Sequence, residues 1–174
     1  MAQNGGRHTI IALVQDKPGV LTRVASLFRR RGFNIASLAV GKSEQPGLSR
    51  MTFVVDGDED TVNQVTKQLD KLIDVIHVFD ISGEEMVARE LALIKVKTTP
   101  GSRGEIIQIV HLFRANVVDV GSQSIVIEIT GEEDKINALY NLLQPFGVLE
   151  MLRTGLVAMV RGQSTGRTSD SVGF

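Results

Sequence analysis

The chain lacks cysteine and tryptophan, and aromatic residues form only 5% of its 174 residues. Without cysteine there is no disulfide, no catalytic thiolate and no cysteine-bound zinc. With so few aromatic side chains, the chain offers few surfaces on which nucleic-acid bases stack. The histidines His8, His77 and His111 are scattered without the spacing of metal ligands, so no metal site is expected.

The chain also has no large excess of positive or negative charge and no long apolar run. The formal net charge is −1 at pH 7, so no basic field attracts nucleic acid. No apolar run approaches the roughly 18 residues of a membrane-crossing helix, and residues 1–7 lack the apolar centre of a secretory signal. We therefore expect a cytoplasmic protein without nucleic-acid or membrane partners. Residues 1–7 are expected to be flexible and the Ser/Thr/Gly-rich tail at 162–174 disordered.

Apolar periodicity predicts an α+β fold of two tandem ferredoxin-like βαββαβ modules, with antiparallel sheets and helices on one face. The first module covers 8–82 and the second covers 83–161. In the first module we expect strands at 8–15, 33–40, 48–56 and 75–81, and helices at 18–31 and 61–73. In the second we expect strands at 91–96, 117–120, 124–129 and, broken at Gly155, 148–160, with helices around 106–113 and 136–143. The helix at 61–73 is expected to bury Val62, Val65, Leu69, Leu72 and Ile73.

Repeated phrases support the tandem arrangement. Leu27-Phe28-Arg29 in the first module is echoed by Leu112-Phe113-Arg114 in the second, and Pro18-Gly19 by Pro100-Gly101. The second copy has three extra residues between these landmarks, around Ser102–Glu105. The loop before its first helix is therefore expected to differ from that of the first module.

The phrase Asp16-Lys17-Pro18-Gly19-Val20-Leu21 follows the first predicted strand and indicates a sharp turn that opens a helix. Pro18 suits the first helical position because the missing N–H has no helical partner there. The amides of Gly19, Val20 and Leu21 then point outward at the positive end of the helix dipole. Such a helix start suits a small anion, such as the carboxylate of a free amino acid. Asp16 is placed to face the ammonium group, so the turn predicts an amino-acid sensor rather than a catalyst.

Each of these residues also has a structural interpretation. Asp16 is a candidate helix N-cap, Gly19 a turn glycine, and Asn34 a strand-entry residue with a locally bonded amide. The run Arg29–Arg31 is most simply explained by the favourable interaction of cations with the last turn of a helix. Arg103, in the second module, is a candidate phosphate ligand without a matching cradle around it.

The chain resembles a known family across residues 8–162. The opening phrase at 16–24 is similar to the start of an ACT domain. The phrases at 32–38, 48–52, 67–75, 89–96 and 112–120, in this order over two modules, resemble the small regulatory subunits of acetolactate synthase, also called acetohydroxyacid synthase. The ordered set is more specific than the Asp-x-Pro-Gly turn alone, which many ACT proteins share.

The resemblance implies a non-catalytic subunit that forms a homodimer through side-by-side ACT domains. It implies a large catalytic partner that carries thiamine diphosphate, magnesium and FAD, with no cofactor on this chain. The family activates that partner and confers feedback inhibition by valine, in some members also by leucine or isoleucine, in branched-chain amino-acid biosynthesis. Neither a catalytic nor a metal-binding residue is implied here.

The resemblance also implies where the effector binds, namely at the ACT dimer interface. One chain supplies the turn and helix start, and its neighbour supplies the beginning of the second strand. The residues that carry over are Asp16, Gly19, Val20 and Leu21 from one chain and Asn34 and Ile35 from the other. Several members have asparagine where this chain has Asp16, whose carboxylate still accepts from an ammonium group.

Two other functions are consistent with the residues alone. The first is a free-standing amino-acid sensor that acts on another partner, although no helix-turn-helix or basic stripe supports direct DNA binding. The second is a small hydrolase that uses Arg103, because ferredoxin-like acylphosphatases have an arginine in the corresponding loop together with an asparagine elsewhere.

Overall fold

The structure is a computed structural model that describes residues 6–162. Most of the predicted flexible start and nearly all of the predicted disordered tail lie outside the described residues. Gly6 and Arg7 are exceptions, because they already belong to the first strand. Gly162 is the last described residue and lies in a turn.

The described residues divide into two compact units, the first formed by residues 6–87 together with 156–162, and the second by Ala88–Gly155. Residues 156–161, which the sequence placed in the second module, therefore belong with the first unit. Two hydrogen bonds explain the difference. The Leu156 amide donates to Ser37 Oγ at 2.9 Å, and Arg50 donates to the Ala158 carbonyl at 3.4 Å.

The first unit contains the predicted βαββαβ order. Its elements are β1 (Gly6–Gln15), α1 (Val20–Arg31), β2 (Ile35–Lys42), β3 (Leu48–Gly57), α2 (Glu59–Leu69) and β4 (Val75–Asp80). The strands lie in the order β2-β3-β1-β4, and each neighbouring pair is antiparallel. Since β1 and β2 are both antiparallel to β3, they run in the same direction, and α1 joins them as a crossover.

Strand alternation decides which side chains form the core of this unit. Ile10, Ala12 and Val14 point to the helical side and are almost fully buried. There the ring of Phe28 from α1 stacks on Phe53 from β3, with centroids 5.2 Å apart. The intervening residues of β1 face the opposite side of the sheet.

The predicted boundaries of α2 are wrong at its end. The helix starts at Glu59, where Asp58 accepts from the Thr61 amide at 2.8 Å, and it stops at Leu69. The hydrogen bonds from the Thr61 side chain and backbone lower the pKa of Asp58. Beyond the helix a tight turn follows, with the Leu72 amide donating to the Leu69 carbonyl. Ile73, expected in the core, is 88% exposed because it lies in that turn.

The second unit repeats the arrangement. Its elements are β5 (Met86–Lys97, beginning just before the unit), α3 (Arg103–Leu112), β6 (Asn116–Val120), β7 (Ser124–Gly131), α4 (Glu133–Leu143) and β8 (Val148–Arg153), followed by β9 (Val157–Val160) in the first unit. The main strand order is β6-β7-β5-β8. The predicted break at Gly155 is confirmed, since its φ of 83° ends the extended run between β8 and β9. No helix within residues 6–162 is long and apolar enough to cross a membrane.

Candidate functional site

The turn between β1 and α1 is built by backbone hydrogen bonds. The Asp16 amide donates to the Gly47 carbonyl at 2.8 Å, which fixes the turn against the hairpin between β2 and β3. Gly19 is the N-cap of α1, with φ +86° in the left-handed region that glycine adopts freely. The helix therefore begins at Val20, and the prediction that Pro18 takes the first helical position is wrong. Pro18 lies outside the helix, because Gly19 comes between it and Val20 in a left-handed conformation.

The start of α1 presents unpaired amides, although they are not quite the predicted ones. The Val20 amide lies 3.4 Å from the Lys17 carbonyl, a long hydrogen bond. Within residues 6–162, the amides of Gly19, Leu21 and Thr22 have no backbone or side-chain acceptor. No acidic residue lies in the first turn to neutralise the positive end of the dipole. This helix start is an electropositive surface for a small anion.

Asp16 is exposed, and its side chain does not cap the helix, so the N-cap interpretation of this residue is wrong. The side chain of Asp16 has no hydrogen-bond partner among the described residues, which leaves the carboxylate available. Asp16 directly precedes the turn that leads into α1, and its own amide is bonded to the hairpin. An acceptor for an ammonium group thus accompanies the donors for a carboxylate.

Arg23 and Asp74 complete this corner of the fold, and the sequence did not identify either as part of the site. Arg23 Nε donates to Asp74 Oδ2 at 2.6 Å, and the Asp74 side chain is only 11% exposed. A Cβ added to Gly19 would lie 3.3 Å from Arg23 Nη1, so the guanidinium borders the N-cap. Arg23 occurs one helical turn after Gly19, and this spacing could have indicated that its side chain borders the turn. Asp74, 51 residues from Arg23, has no local signal.

Replacing Arg23 with methionine tests the importance of this ion pair. We expect the free energy of unfolding to fall by about 1–2 kcal/mol, because a buried carboxylate loses its charged donor while the exposed arginine was partly screened by solvent. Chemical denaturation measures the change. Arg30→Met, on an exposed part of the same helix, is the matched control and should leave stability nearly unchanged. Equal stability of the two variants would show that the Arg23–Asp74 pair does not hold this corner.

Asn34 and Ile35 lie at the other end of the sheet in the same chain. Asn34 Nδ2 is 3.5 Å from Asp56 Oδ2, and Asp56 also accepts from Arg7 at the beginning of β1. Asp16 follows the end of that ten-residue strand, so roughly 30 Å separates the two halves of the predicted site. One protomer therefore contains both halves but does not bring them together.

The remaining candidate residues have structural partners. Arg103 Nε donates to Thr98 Oγ1 at 3.2 Å, and its Nη2 donates to the carbonyls of Gly121 and Ser122 at 3.0 and 3.3 Å. This guanidinium holds a loop to α3, so the geometry gives no support to the hydrolase interpretation. Arg29–Arg31 occupy the last turn of α1, as predicted. No group of three or more metal-ligating side chains occurs in residues 6–162.

Comparison with known proteins supplies further evidence. Residues 10–77 match a family model described as an AHAS small subunit-like ACT domain, and residues 89–162 match one described as the small subunit of acetolactate synthase. A probable acetolactate synthase small subunit from Archaeoglobus fulgidus is 56% identical over 156 residues, which cover 90% of this chain and 98% of the relative. An acetolactate synthase small subunit from Mycobacterium bovis is 53% identical over 155 residues, covering 89% and 92%.

A solved structure agrees with these relatives. The crystal structure of the acetolactate synthase small subunit from Thermotoga maritima is similar with a TM-score of 0.84 and 46% sequence identity, covering 90% of this chain and 98% of that one. The likeness thus extends over both units and is not limited to the first.

Proposed function

Because the chain belongs to the family of acetolactate synthase small subunits, we propose that it regulates a large catalytic subunit, raising its activity and making it sensitive to inhibition by valine. The catalytic subunit carries thiamine diphosphate, magnesium and FAD, and the pair acts in branched-chain amino-acid biosynthesis in the cytoplasm. The observation that carries the proposal is the start of α1, where unpaired amides, Arg23 and an unengaged Asp16 lie close together.

This corner matches the two charged groups of a free amino acid. The carboxylate accepts from the amides of Leu21 and Thr22 and faces the positive end of the dipole, with Arg23 adding a cation at its side. Asp16 accepts from the ammonium. Because the carboxylate of Asp16 is exposed and unbonded among the described residues while the amides are held by the helix, the amides set the position of the ligand and Asp16 favours a ligand that carries an ammonium group.

A second copy of the chain completes the site. Strand β2 lies at the edge of the first sheet, with one side unpaired among the described strands. When two β2 strands pair antiparallel about a two-fold axis, the start of the partner's strand lies beside the end of this one. That end leads into the hairpin whose Gly47 carbonyl binds the Asp16 amide. Asn34 and Ile35 of one protomer therefore reach the helix start of the other.

The side-chain pocket selects branched aliphatic groups loosely. Leu21 is 47% exposed in the isolated chain and Ile35 is half-buried, so both have apolar surface to cover an effector. A difference of one methylene changes binding by about 1–3 kcal/mol. Leucine and isoleucine are therefore expected to bind the same site as valine, with affinities that differ modestly.

Reconstitution with the large catalytic subunit tests the proposal. We expect the two chains to copurify, the complex to be several-fold more active than the catalytic subunit alone, and valine to inhibit only the complex. Calorimetry of this chain with valine, leucine and isoleucine measures binding, and the part of it that is lost in Gly19→Asp belongs to the effector site. If the chain neither binds nor activates the catalytic subunit but still binds valine, it is a free-standing sensor. Activation without valine binding would contradict the effector part of the proposal.

A further inference from the structure

A cleft of about 390 Å³ lies in the first unit, on the face of the sheet that is turned away from α1 and α2. Its floor follows from strand alternation, because Ile11 and Leu13 point opposite to the core residues of β1. Register then places Arg50 of β3 and His77 of β4 on either side of Leu13, and Phe79 beside Ile11. The volume is within the range of about 300–1,000 Å³ found for small-molecule sites.

The cleft has a second wall, formed by the end of β9 and by Gly162. Met159 and Val160 of this segment line the cleft. The segment is held by hydrogen bonds at both ends. At one end the Leu156 amide donates to Ser37 Oγ at 2.9 Å, and at the other the Arg161 amide donates to the Glu85 carbonyl at 2.8 Å. The cleft therefore lies between two elements that are held in place, the sheet on one side and β9 on the other.

Arg50 lines this cleft with most of its N–H donors unpaired among the described residues. Its side chain is half-buried, and its one hydrogen bond among the described residues is the 3.4 Å donation to the Ala158 carbonyl. In residues 6–162, no carboxylate oxygen pairs with it within 4.0 Å. A guanidinium carries five N–H donors and prefers a planar, two-oxygen acceptor. Because Arg50 lies beside the apolar Leu13 and is partly withdrawn from solvent, an anion that joins it gains charge-assisted hydrogen bonds.

The opposite charge is supplied at the rim. Glu44, in the hairpin between β2 and β3, lines the same cleft and is exposed, and it has no ion-pair partner among the described residues. Arg50 is the third residue of β3, and Glu44 lies in the hairpin that directly precedes this strand, so both charges are at one end of the apolar floor. A cation and an anion side by side, with an apolar floor leading away from them, match an amino acid, whose carboxylate and ammonium are carried on one carbon. A simple apolar carboxylate matches less well, because it leaves Glu44 without a positive partner.

We propose that this cleft binds a second free amino acid, with its carboxylate on Arg50, its ammonium on Glu44 and its apolar side chain over Leu13, Ile11 and Phe79. The site goes beyond the proposed function, because it uses none of the residues at the start of α1 and needs no partner chain. Each protomer then binds two amino acids, one at the dimer interface and one in the cleft.

Methyl NMR of the full chain, with L-leucine as the probe, tests the proposal. The chain has five methionines, of which Met159 lines the cleft, and the His77 ring gives a second local signal. The titration is done in the Gly19→Asp background, so that the site at α1 does not contribute. We expect saturable shifts of the Met159 methyl and the His77 ring. No shift at millimolar leucine would overturn the proposal.

Two charge-removing variants identify the binding groups. Arg50→Met and Glu44→Gln are each expected to raise the midpoint of the leucine titration by about 10-fold or more, because each removes a charged hydrogen-bond partner. Arg30→Met and Glu59→Gln, on exposed helical positions away from the cleft, are the controls and should leave it unchanged. Since Glu44 is exposed on a hairpin, its variant remains informative even if Arg50→Met loosens β9.

The 2-oxo acid of leucine distinguishes a zwitterion site from a general anion site. It has the same carbon chain and carboxylate but lacks the ammonium. Weaker binding of the 2-oxo acid than of leucine, with the difference lost in Glu44→Gln, supports the proposal. Equal binding of the two compounds would overturn the assignment of Glu44, and with it the proposal that the ligand is an amino acid.

Discussion

Gly19→Asp is expected to abolish valine inhibition of the reconstituted synthase while activation of the catalytic subunit survives. The new side chain has to occupy a left-handed position with φ +86°, and its Cβ lies 3.3 Å from Arg23 Nη1. Its carboxylate then takes the place of the effector's carboxylate beside the free amides of α1. We expect valine affinity to fall by at least about 100-fold, because charged hydrogen bonds and access are lost together. Calorimetry and an inhibition curve measure the loss.

Two further glycine variants separate charge from backbone strain. Gly32→Asp introduces the same residue at the other end of α1, where φ is +70° and no atom lies within 4 Å of an added Cβ. This variant carries a similar conformational cost and should keep its valine response. Gly19→Ala keeps the strain without the charge, so an intermediate loss is expected. If Gly32→Asp lost valine sensitivity as fully as Gly19→Asp, general destabilisation would explain the result, and the site would be misplaced.

The order of elements was predictable because each has a local signal. Alternation marks β1, helical spacing marks α1, and Gly32 after Arg29–Arg31 marks its end. The start of α1 was predicted two residues early because Pro18 also fits the turn that precedes a left-handed glycine. The end of α2 was missed because no breaker follows Leu69. The Leu72 and Val75 amides form turns there instead of continuing the helix.

The candidate site was predictable only where it is local. Asp16, Gly19 and Leu21 lie in one phrase, and Asn34 and Ile35 follow from the resemblance. The Arg23–Asp74 pair joins residues 51 positions apart, and the carbonyl partners of Arg103 lie 18 and 19 positions away. Predicting the cleft at Arg50 would require the pairing register of β1, β3 and β4 and the position of β9. Such contacts depend on tertiary packing, to which hydrophobic periodicity gives no guide.

Because the two halves of the proposed effector site lie at opposite ends of one sheet, valine binding should be restored by mixing two inactive variants. Gly19→Asp damages the helix start, and Asn34→His replaces the amide that the partner supplies with a bulkier ring. Neither homodimer is expected to bind valine at the effector site. In a mixed dimer, one site carries both changes and the other carries none, so about one quarter of all sites in an equal mixture should bind valine with normal affinity. Calorimetry after subunit exchange counts them.

The inverse experiment uses a chain with both substitutions, mixed with the unaltered chain. If Gly19 and Asn34 come from different protomers, every effector site in the mixed dimer has one damaged half, and only unaltered homodimers bind valine at the effector site. If both residues served a site within one chain, half of the sites in the mixed dimer would remain intact, and mixing the two single variants would restore nothing. With a shared site, both mixtures therefore keep about one quarter of normal effector sites, whereas with a site inside one chain the single variants keep none and the double variant mixed with the unaltered chain keeps about one half. Because the total concentration of each substitution is the same in both mixtures, the comparison separates the arrangement of the site from any loss of stability.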